Sequence, residues 1–354
     1  MTRPPLPTLP TLPRVLIICP AVASANNGNW LTACRWSHML SADFEVHIAQ
    51  DWNGEPFDVM LALHARRSAD SIAKWALSKD TKNNAPGLAV VLTGTDLYRD
   101  IQTDVSAQAS LAYAQRLIVL QERAPAALPL TLQHKARVIF QSTQAREPAL
   151  KTPRHLRAVM VGHLRDEKSP QTLFVAARLL KDHPTIFIDH IGDALDAKLG
   201  KKALACSAKY PNYRWLGGLP HETTLRHIHR AHVLVHTSRM EGGAHVVLEA
   251  VCSGTPVIAS RIDGNVGMLG ADYAGYFDFD DARGLADLLL RCREDQAQSD
   301  GIYAQLISQC AARAPLFTPE TEQTRLINFV HELMQNSVEA TQQSNENAPP
   351  YAST

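Results

Sequence analysis

No sign of charge dominates this sequence. Its 354 residues carry 35 Lys and Arg against 35 Asp and Glu, a formal net charge of zero. A nucleic-acid partner demands a basic excess to neutralise phosphates, so none is expected. No apolar run approaches the roughly 20 residues that cross a bilayer, and no amphipathic face in the N-terminal half suits a lipid surface, so no membrane partner is expected. Cysteine is sparse: six residues with no C-x-x-C pair, read as reduced thiols. Met1–Pro13 holds five prolines and no continuous apolar core, so it is not expected to act as a signal peptide, and the expected location is cytoplasmic. Apolar residues make up 45%, enough for two cores in a chain of this length.

Short apolar runs alternate with amphipathic stretches. Strands are expected at 15–19, 45–49, 59–63, 88–92, 117–120 and 138–140, with helices near 30–40 and 69–77. A turn-rich, basic stretch at 142–155 reads as a linker. The alternation then restarts, with strands at 158–161, 186–188, 213–216, 233–235 and 256–259. Continuous apolar strands separated by helices indicate parallel sheets covered on both faces. The expected fold is α/β, two doubly wound Rossmann-like domains facing across a cleft. The expected division is a disordered 1–13, an acceptor-binding domain 14–150, a nucleotide-sugar domain 151–317, a C-terminal helix 318–335 and a disordered tail 336–354. Ligands of such sheets sit at the strands' carboxyl ends.

The strongest local signal is Ser238-Arg-Met-Glu241-Gly242-Gly243-Ala244-His-Val-Val-Leu-Glu249, which follows one strand and opens a helix. Gly242 and Gly243 let the backbone approach a ligand, and the helix start from Ala244 offers N–H groups to a diphosphate. Glu241 and Glu249 can hold two hydroxylated parts of one ligand, the sugar and the ribose. The string also reads as an ordinary capped helix with surface glutamates. Asp278-Phe-Asp280 matches a metal-binding carboxylate pair, but its place before a helix reads as capping, and no metal or other cofactor is expected.

Glu241 to Glu249 resembles the E-x7-E motif of retaining GT-B glycosyltransferases. Val161-Gly162-His-Leu-Arg165-Asp-Glu-Lys168 resembles their first C-domain loop, which implies Arg165 and Lys168 on the leaving diphosphate. Trp215-Leu-Gly217-Gly218-Leu-Pro220 lies where that family holds the base, and reads equally as a strand-to-helix turn. Where such enzymes carry a Gly-Gly turn and a glutamate on the donor sugar, this chain has Asp263-Gly264-Asn265-Val266. The resemblance places Gly264 and Asn265 at the donor.

Three strings in the first half end strands: Asn27-Gly28-Asn29-Trp30, His64-Ala-Arg66-Arg67 and Thr93-Gly94-Thr95-Asp96-Leu-Tyr-Arg99. Their hydroxyls, arginines and N–H groups suit a small anionic acceptor, with one of Arg66 and Arg67 facing inward. GNWLTACRW, LHARRSA, LTGTDLYRD, VGHLR-x-x-K, EGGAHVVLEA and Ser260–Gly270 together resemble the bacterial selenosugar synthases of selenoneine biosynthesis. That resemblance runs from about Arg14 to Pro315. It implies transfer of N-acetylglucosamine or glucose from a UDP-sugar, as substrate, to selenophosphate. Products would be a 1-selenosugar, UDP and phosphate, with selenophosphate synthesis upstream and the next selenoneine enzyme downstream. His64, Arg165, Lys168 and Glu241 are the candidate catalytic residues. The rival readings are a GT-B enzyme with a hydroxyl acceptor, a sugar-nucleotide epimerase and a non-catalytic nucleotide-sugar sensor.

Overall fold

A computed structural model describes residues 12–20 and 28–346, with side chains to residue 335. In the first half, β1 (Arg14–Ile18), α1 (Gly28–Leu40), β2 (Glu45–Ala49), β3 (Val59–Leu63), α2 (Ala69–Ser78) and β4 (Ala85–Leu92) follow in order. A π-helical turn at Asp96–Asp100 then runs into α3 (Ile101–Thr103), before α4 (Val105–Tyr113), β5 (Ala114–Val119) and β6 (Ala136–Val138). The second half comprises β7 (Leu156–Val161), α5 (Pro170–Leu179), β8 (Ile186–Ile191), α6 (Ala197–Lys209), β9 (Tyr213–Gly217), α7 (His221–Arg230) and β10 (Val233–His236). After it come α8 (His245–Val251), β11 (Val257–Ser260), α9 (Asp263–Leu269), β12 (Tyr276–Phe277), α10 (Ala282–Glu294), α11 (Ile302–Arg313) and α12 (Pro319–Glu346).

The strands form two parallel sheets, ordered β2-β1-β3-β4-β5-β6 and β12-β11-β10-β7-β8-β9. All five residues of β3 are buried, as an apolar run with a helix layer on each face requires. In each sheet the winding reverses once, between β1 and β3 and between β7 and β10. A crevice opens outside the carboxyl ends of the strands at such a reversal. The loops after β1, β3, β4, β7 and β10 line the space between the two rims. The expected linker, 142–155, is an extended segment without helix or strand.

Three features depart from the sequence reading. Helix α4 was not expected because its nine residues are largely small and show no clear apolar stripe; Asp104 starts it by accepting from the Ala107 N–H. Helix α9 was not expected; its two glycines lower helix propensity, and packing on the other domain supports it. The tail expected to be disordered from 336 continues α12 to Glu346, since no Gly or Pro interrupts 336–346. Residues 1–11 and 347–354, parts of the two expected disordered ends, lie outside the described residues.

Helix α12 returns the chain to the first domain, where Leu326, Phe329, Val330 and Leu333 join the core that holds Ile17, Trp36 and Leu61. Its first turn buries one carboxylate. Glu322 is 0% exposed and accepts from Arg35 Nε at 2.9 Å, Arg35 Nη2 at 3.1 Å, Trp36 Nε1 at 2.6 Å and Ser142 Oγ at 2.5 Å. A buried charge survives only when its oxygens are so satisfied. Glu322→Ala leaves Arg35 and the Trp36 N–H without their acceptor, and is expected to lower unfolding free energy by about 3–5 kcal/mol. Urea unfolding checks this; a change within about 0.5 kcal/mol, as at an ordinary surface site, contradicts it.

Candidate active site

A cavity of about 370 Å³ lies between the two carboxyl-end rims. From the first domain it is lined by Gly28, Asn29, His64, Arg67, Thr93, Gly94 and Thr95, and from the second by Arg165, Glu167, Met240, Glu241 and Gly242. Residues of the two halves that the sequence reading assigned separately thus share one space. Asn27 lies outside the described residues.

The first-domain wall is built on Asp96. This carboxylate is 0% exposed and accepts from the Thr93 and Gly94 N–H groups, each at 2.9 Å, and from the Ala65 N–H at 3.1 Å. It ties the loop after β4 to the loop after β3. The expectation that Asp96 contacts an acceptor is corrected: its oxygens serve the main chain. His64 sits on that frame with φ of 77°, a conformation costly for a side-chain-bearing residue and tolerated where its surroundings over-determine it. Burial holds the imidazole pKa below its usual value, against the opposing pull of Asp96. Its Nε2 lies 3.4 Å from Thr95 Oγ1.

The two neighbouring arginines divide. Arg66 Nε donates to Asp100 at 2.9 Å, and Arg99 Nε donates to the other oxygen of Asp100 at 3.2 Å. Neither lines the cavity. Both were expected at the acceptor, and both are instead drawn aside by one carboxylate. Arg67 faces the cavity, and its guanidinium makes no hydrogen bond or ion pair among the described residues.

On the second-domain wall, Arg165 also faces the cavity, exposed and likewise without a side-chain partner among the described residues. Lys168, whose methylenes lie over Gly162, reaches Glu241 at 2.5 Å. Burial would raise the Glu241 pKa, but Lys168 and His236 outweigh it and hold the carboxyl well below its usual range. His236, the last residue of β10, was not anticipated from the sequence. Its position at a strand's carboxyl end was the available signal, hidden in an apolar run.

The glycines do something other than expected. A Cβ on Gly242 would collide with the Thr93 carbonyl, and one on Gly243 would lie 2.7 Å from Leu120 Cβ. A Cβ on Gly264 would collide with the Glu241 carbonyl, and one on Gly267 with the Gln121 side chain. Gly242, Gly243 and Gly267 are therefore places where the two domains touch closely, and Gly264 brings α9 onto the Glu241 backbone. Asn265 is fully buried and bonded to His236 and Ser260, so its expected direct donor contact is corrected.

Ala244, Glu249 and the 215–220 loop, expected at the donor, lie beyond the cavity. Ala244 is the N-cap residue of α8, with no side-chain cap. Glu249, 5% exposed, accepts from His221 Nε2 at 2.8 Å, with His245 Nε2 at 3.5 Å. The bond to Glu249 raises the His221 pKa. His221 follows Gly217, which has φ of +69°, and Gly218, which packs against the Asp193 carboxylate. The loop 215–220 and Glu249 are thus brought together. Asp278 and Asp280 do not cap α10; Asp281 does, while Asp280 accepts from Ser169 and Arg239. The described residues contain no cluster of metal-ligating side chains. No helix among them is long and apolar enough to cross a membrane.

Two doubly wound parallel sheets facing across a ligand cleft define the GT-B architecture. Residues 141–306, the second domain, match the family model for glycosyl transferases group 1. No curated protein sequence matches the chain. Sucrose-phosphate synthase from Thermosynechococcus elongatus superposes with a TM-score of 0.70 at 17% identity, over 92% of this chain and 100% of that one. HepE of Anabaena in complex with UDP gives 0.67 at 14% identity, over 91% and 100%. A variant of S. aureus TarM, in complex with fondaparinux, alpha-GlcNAc-glycerol and UDP, gives 0.59 at 15% identity. That match covers 77% of this chain, which spans 55% of TarM. At these identities the shared property is the fold.

Asp96 and Arg67 have opposite expected phenotypes. Asp96→Ala strips two or more charged hydrogen bonds, each contributing about 1.5–3 kcal/mol, and is expected to lower stability by about 3 kcal/mol or more. Arg67→Ala is expected to leave stability within about 0.5 kcal/mol. Chemical denaturation of both variants checks the pair; equal losses contradict the division into frame and free cation.

Proposed function

We propose that this chain transfers a sugar from a UDP-sugar to a small anionic acceptor, selenophosphate, with N-acetylglucosamine or glucose as the sugar. The observation that carries the reading is the pair of guanidinium groups, Arg67 and Arg165, that face one cavity from different domains and have no side-chain partner among the described residues. A site with two such cations suits two anions, one on each side. Arg165 and Lys168 serve the leaving diphosphate and neutralise charge as the bond from the anomeric carbon to oxygen breaks. Glu241 takes the sugar, and Glu249 takes the ribose once His221 gives way. Gly217 and Gly218 carry the loop beside the base. The match to glycosyl transferases group 1 and the UDP-bound structural neighbours support the donor class.

Arg67, with the Gly28–Asn29 and Thr93–Thr95 main chain, holds the acceptor's oxygens by charge-assisted bonds. The selenium already bears negative charge, so its attack on the anomeric carbon needs no strong base. A carbon–selenium bond forms as UDP departs, and water then cleaves the selenium–phosphorus bond to release phosphate. His64, kept largely neutral by burial, is the base placed to assist that water. The same neutral imidazole favours the second reading, a hydroxyl acceptor that His64 deprotonates. The strings resembling selenosugar synthases favour the first.

Mass spectrometry of products from UDP-N-acetylglucosamine or UDP-glucose, with and without selenophosphate, separates these readings. The expected result is UDP, phosphate and a 1-selenosugar only when selenophosphate is present. UDP release with hydroxyl acceptors alone supports the second reading. No turnover with any acceptor contradicts both.

A further inference from the structure

The proposed donor site places the sugar on Glu241, and that carboxylate is braced from behind by a buried chain of polar groups. Ser260 Oγ donates to the Ser238 carbonyl at 2.6 Å. Asn265 Nδ2 donates to the Ser260 carbonyl at 2.9 Å. A carbonyl only accepts, so this bond fixes the amide's orientation and leaves Asn265 Oδ1 facing His236 Nδ1 at 3.0 Å. His236 Nδ1 is therefore the donor in that contact. Its Nε2, on the far side of the ring, lies 3.3 Å from Glu241 Oε1 and 3.2 Å from Ser238 Oγ. His236, Ser260 and Asn265 are all essentially unexposed, so the ring is pinned on both edges.

The consequence falls on Glu241. Lys168 Nζ and His236 Nε2 both approach Oε1, while Oε2 has no partner among the described residues. We propose that His236 is a positioning residue: it fixes the Glu241 carboxylate so that Oε2 alone is presented to a hydroxyl of the donor sugar. Lys168 by itself cannot do this, because a flexible ammonium on a four-carbon stem follows the carboxylate and does not set it. A rigid ring anchored through Asn265 does, with Nε2–H donating to Glu241 Oε1 when the ring carries a proton on both nitrogens. Binding of a sugar-bearing nucleotide then depends on His236, whereas binding of UDP, which lacks the sugar, does not.

The inference rests on the donor reading above, and its test separates the two. In His236→Asn the amide reproduces the Nδ1 contact to Asn265 and falls short of Glu241. In His236→Gln the amide reaches the Nε2 position and keeps the Glu241 contact. The expected result for His236→Asn is a drop in kcat of about ten- to a hundredfold, as for a catalytic group misplaced by a fraction of an ångström to about 1 Å. Calorimetric UDP affinity stays within about twofold of wild type, while UDP-sugar affinity falls toward that of UDP. His236→Gln restores most of both. Asn265→Ala, which frees the ring without touching Glu241, reproduces the His236→Asn pattern and serves if that variant does not fold. An active wild type with His236→Asn unchanged in kcat and UDP-sugar affinity overturns the positioning role alone. So does equal loss in the Asn and Gln variants. A wild type that binds no UDP-sugar overturns the donor reading along with it.

Discussion

A Cβ placed on Gly94 would lie 3.1 Å from the Gly242 nitrogen, and one on Gly242 would strike the Thr93 carbonyl. The loop that ends β4 and the loop that follows β10 thus meet main chain to main chain, with no side chain between them. Gly243 against Leu120 and Gly267 against Gln121 extend the contact. The cavity exists because these approaches hold the two carboxyl-end rims at a distance that leaves about 370 Å³ between them. Any larger residue along the contact moves one wall away from the other. The glycines act first on the domain geometry, and through it on whatever the cavity holds.

Within that frame, the charges sort into those committed to structure and those left facing the cavity. Asp96 is consumed by three main-chain N–H groups, and Asp100 draws Arg66 and Arg99 aside. Lys168 and His236 occupy one oxygen of Glu241, and His221 occupies Glu249. Among the described residues Arg67 and Arg165, one from each domain, and the Glu167 carboxylate remain facing the cavity without a side-chain partner. Exposed ion pairs contribute little to stability, whereas unpaired cations in a cleft concentrate anions there. The distribution therefore favours binding over stability at those two positions.

The architecture was legible because the central strands of both sheets, such as β1, β3, β4, β7 and β10, are short apolar runs, and their carboxyl ends open into polar loops. Arg165, Glu241 and the 93–95 loop could be placed for that reason. What the sequence did not disclose depends on contacts between distant segments. Nothing local distinguishes Arg67 from Arg66; Asp100, 34 residues on, decides between them. Gly242 reads as a ligand-facing glycine until Thr93 appears against it. Asn265 reads as a donor contact until His236, 29 residues earlier, claims its oxygen. Helix α12 returns to the first domain through Glu322, whose partners Arg35 and Trp36 lie nearly 300 positions upstream.

The central claim is that one cavity receives two anions on cations from opposite domains. Calorimetric titration of UDP and of thiophosphate, an analogue of selenophosphate in charge and shape, into wild type, Arg67→Ala and Arg165→Ala tests it most directly. Each lost charged hydrogen bond is expected to weaken binding by about 1.5–3 kcal/mol. The account predicts that Arg165→Ala weakens UDP and leaves thiophosphate nearly unchanged, and that Arg67→Ala does the reverse. Thiophosphate binding indifferent to Arg67, or UDP binding indifferent to Arg165, would contradict it.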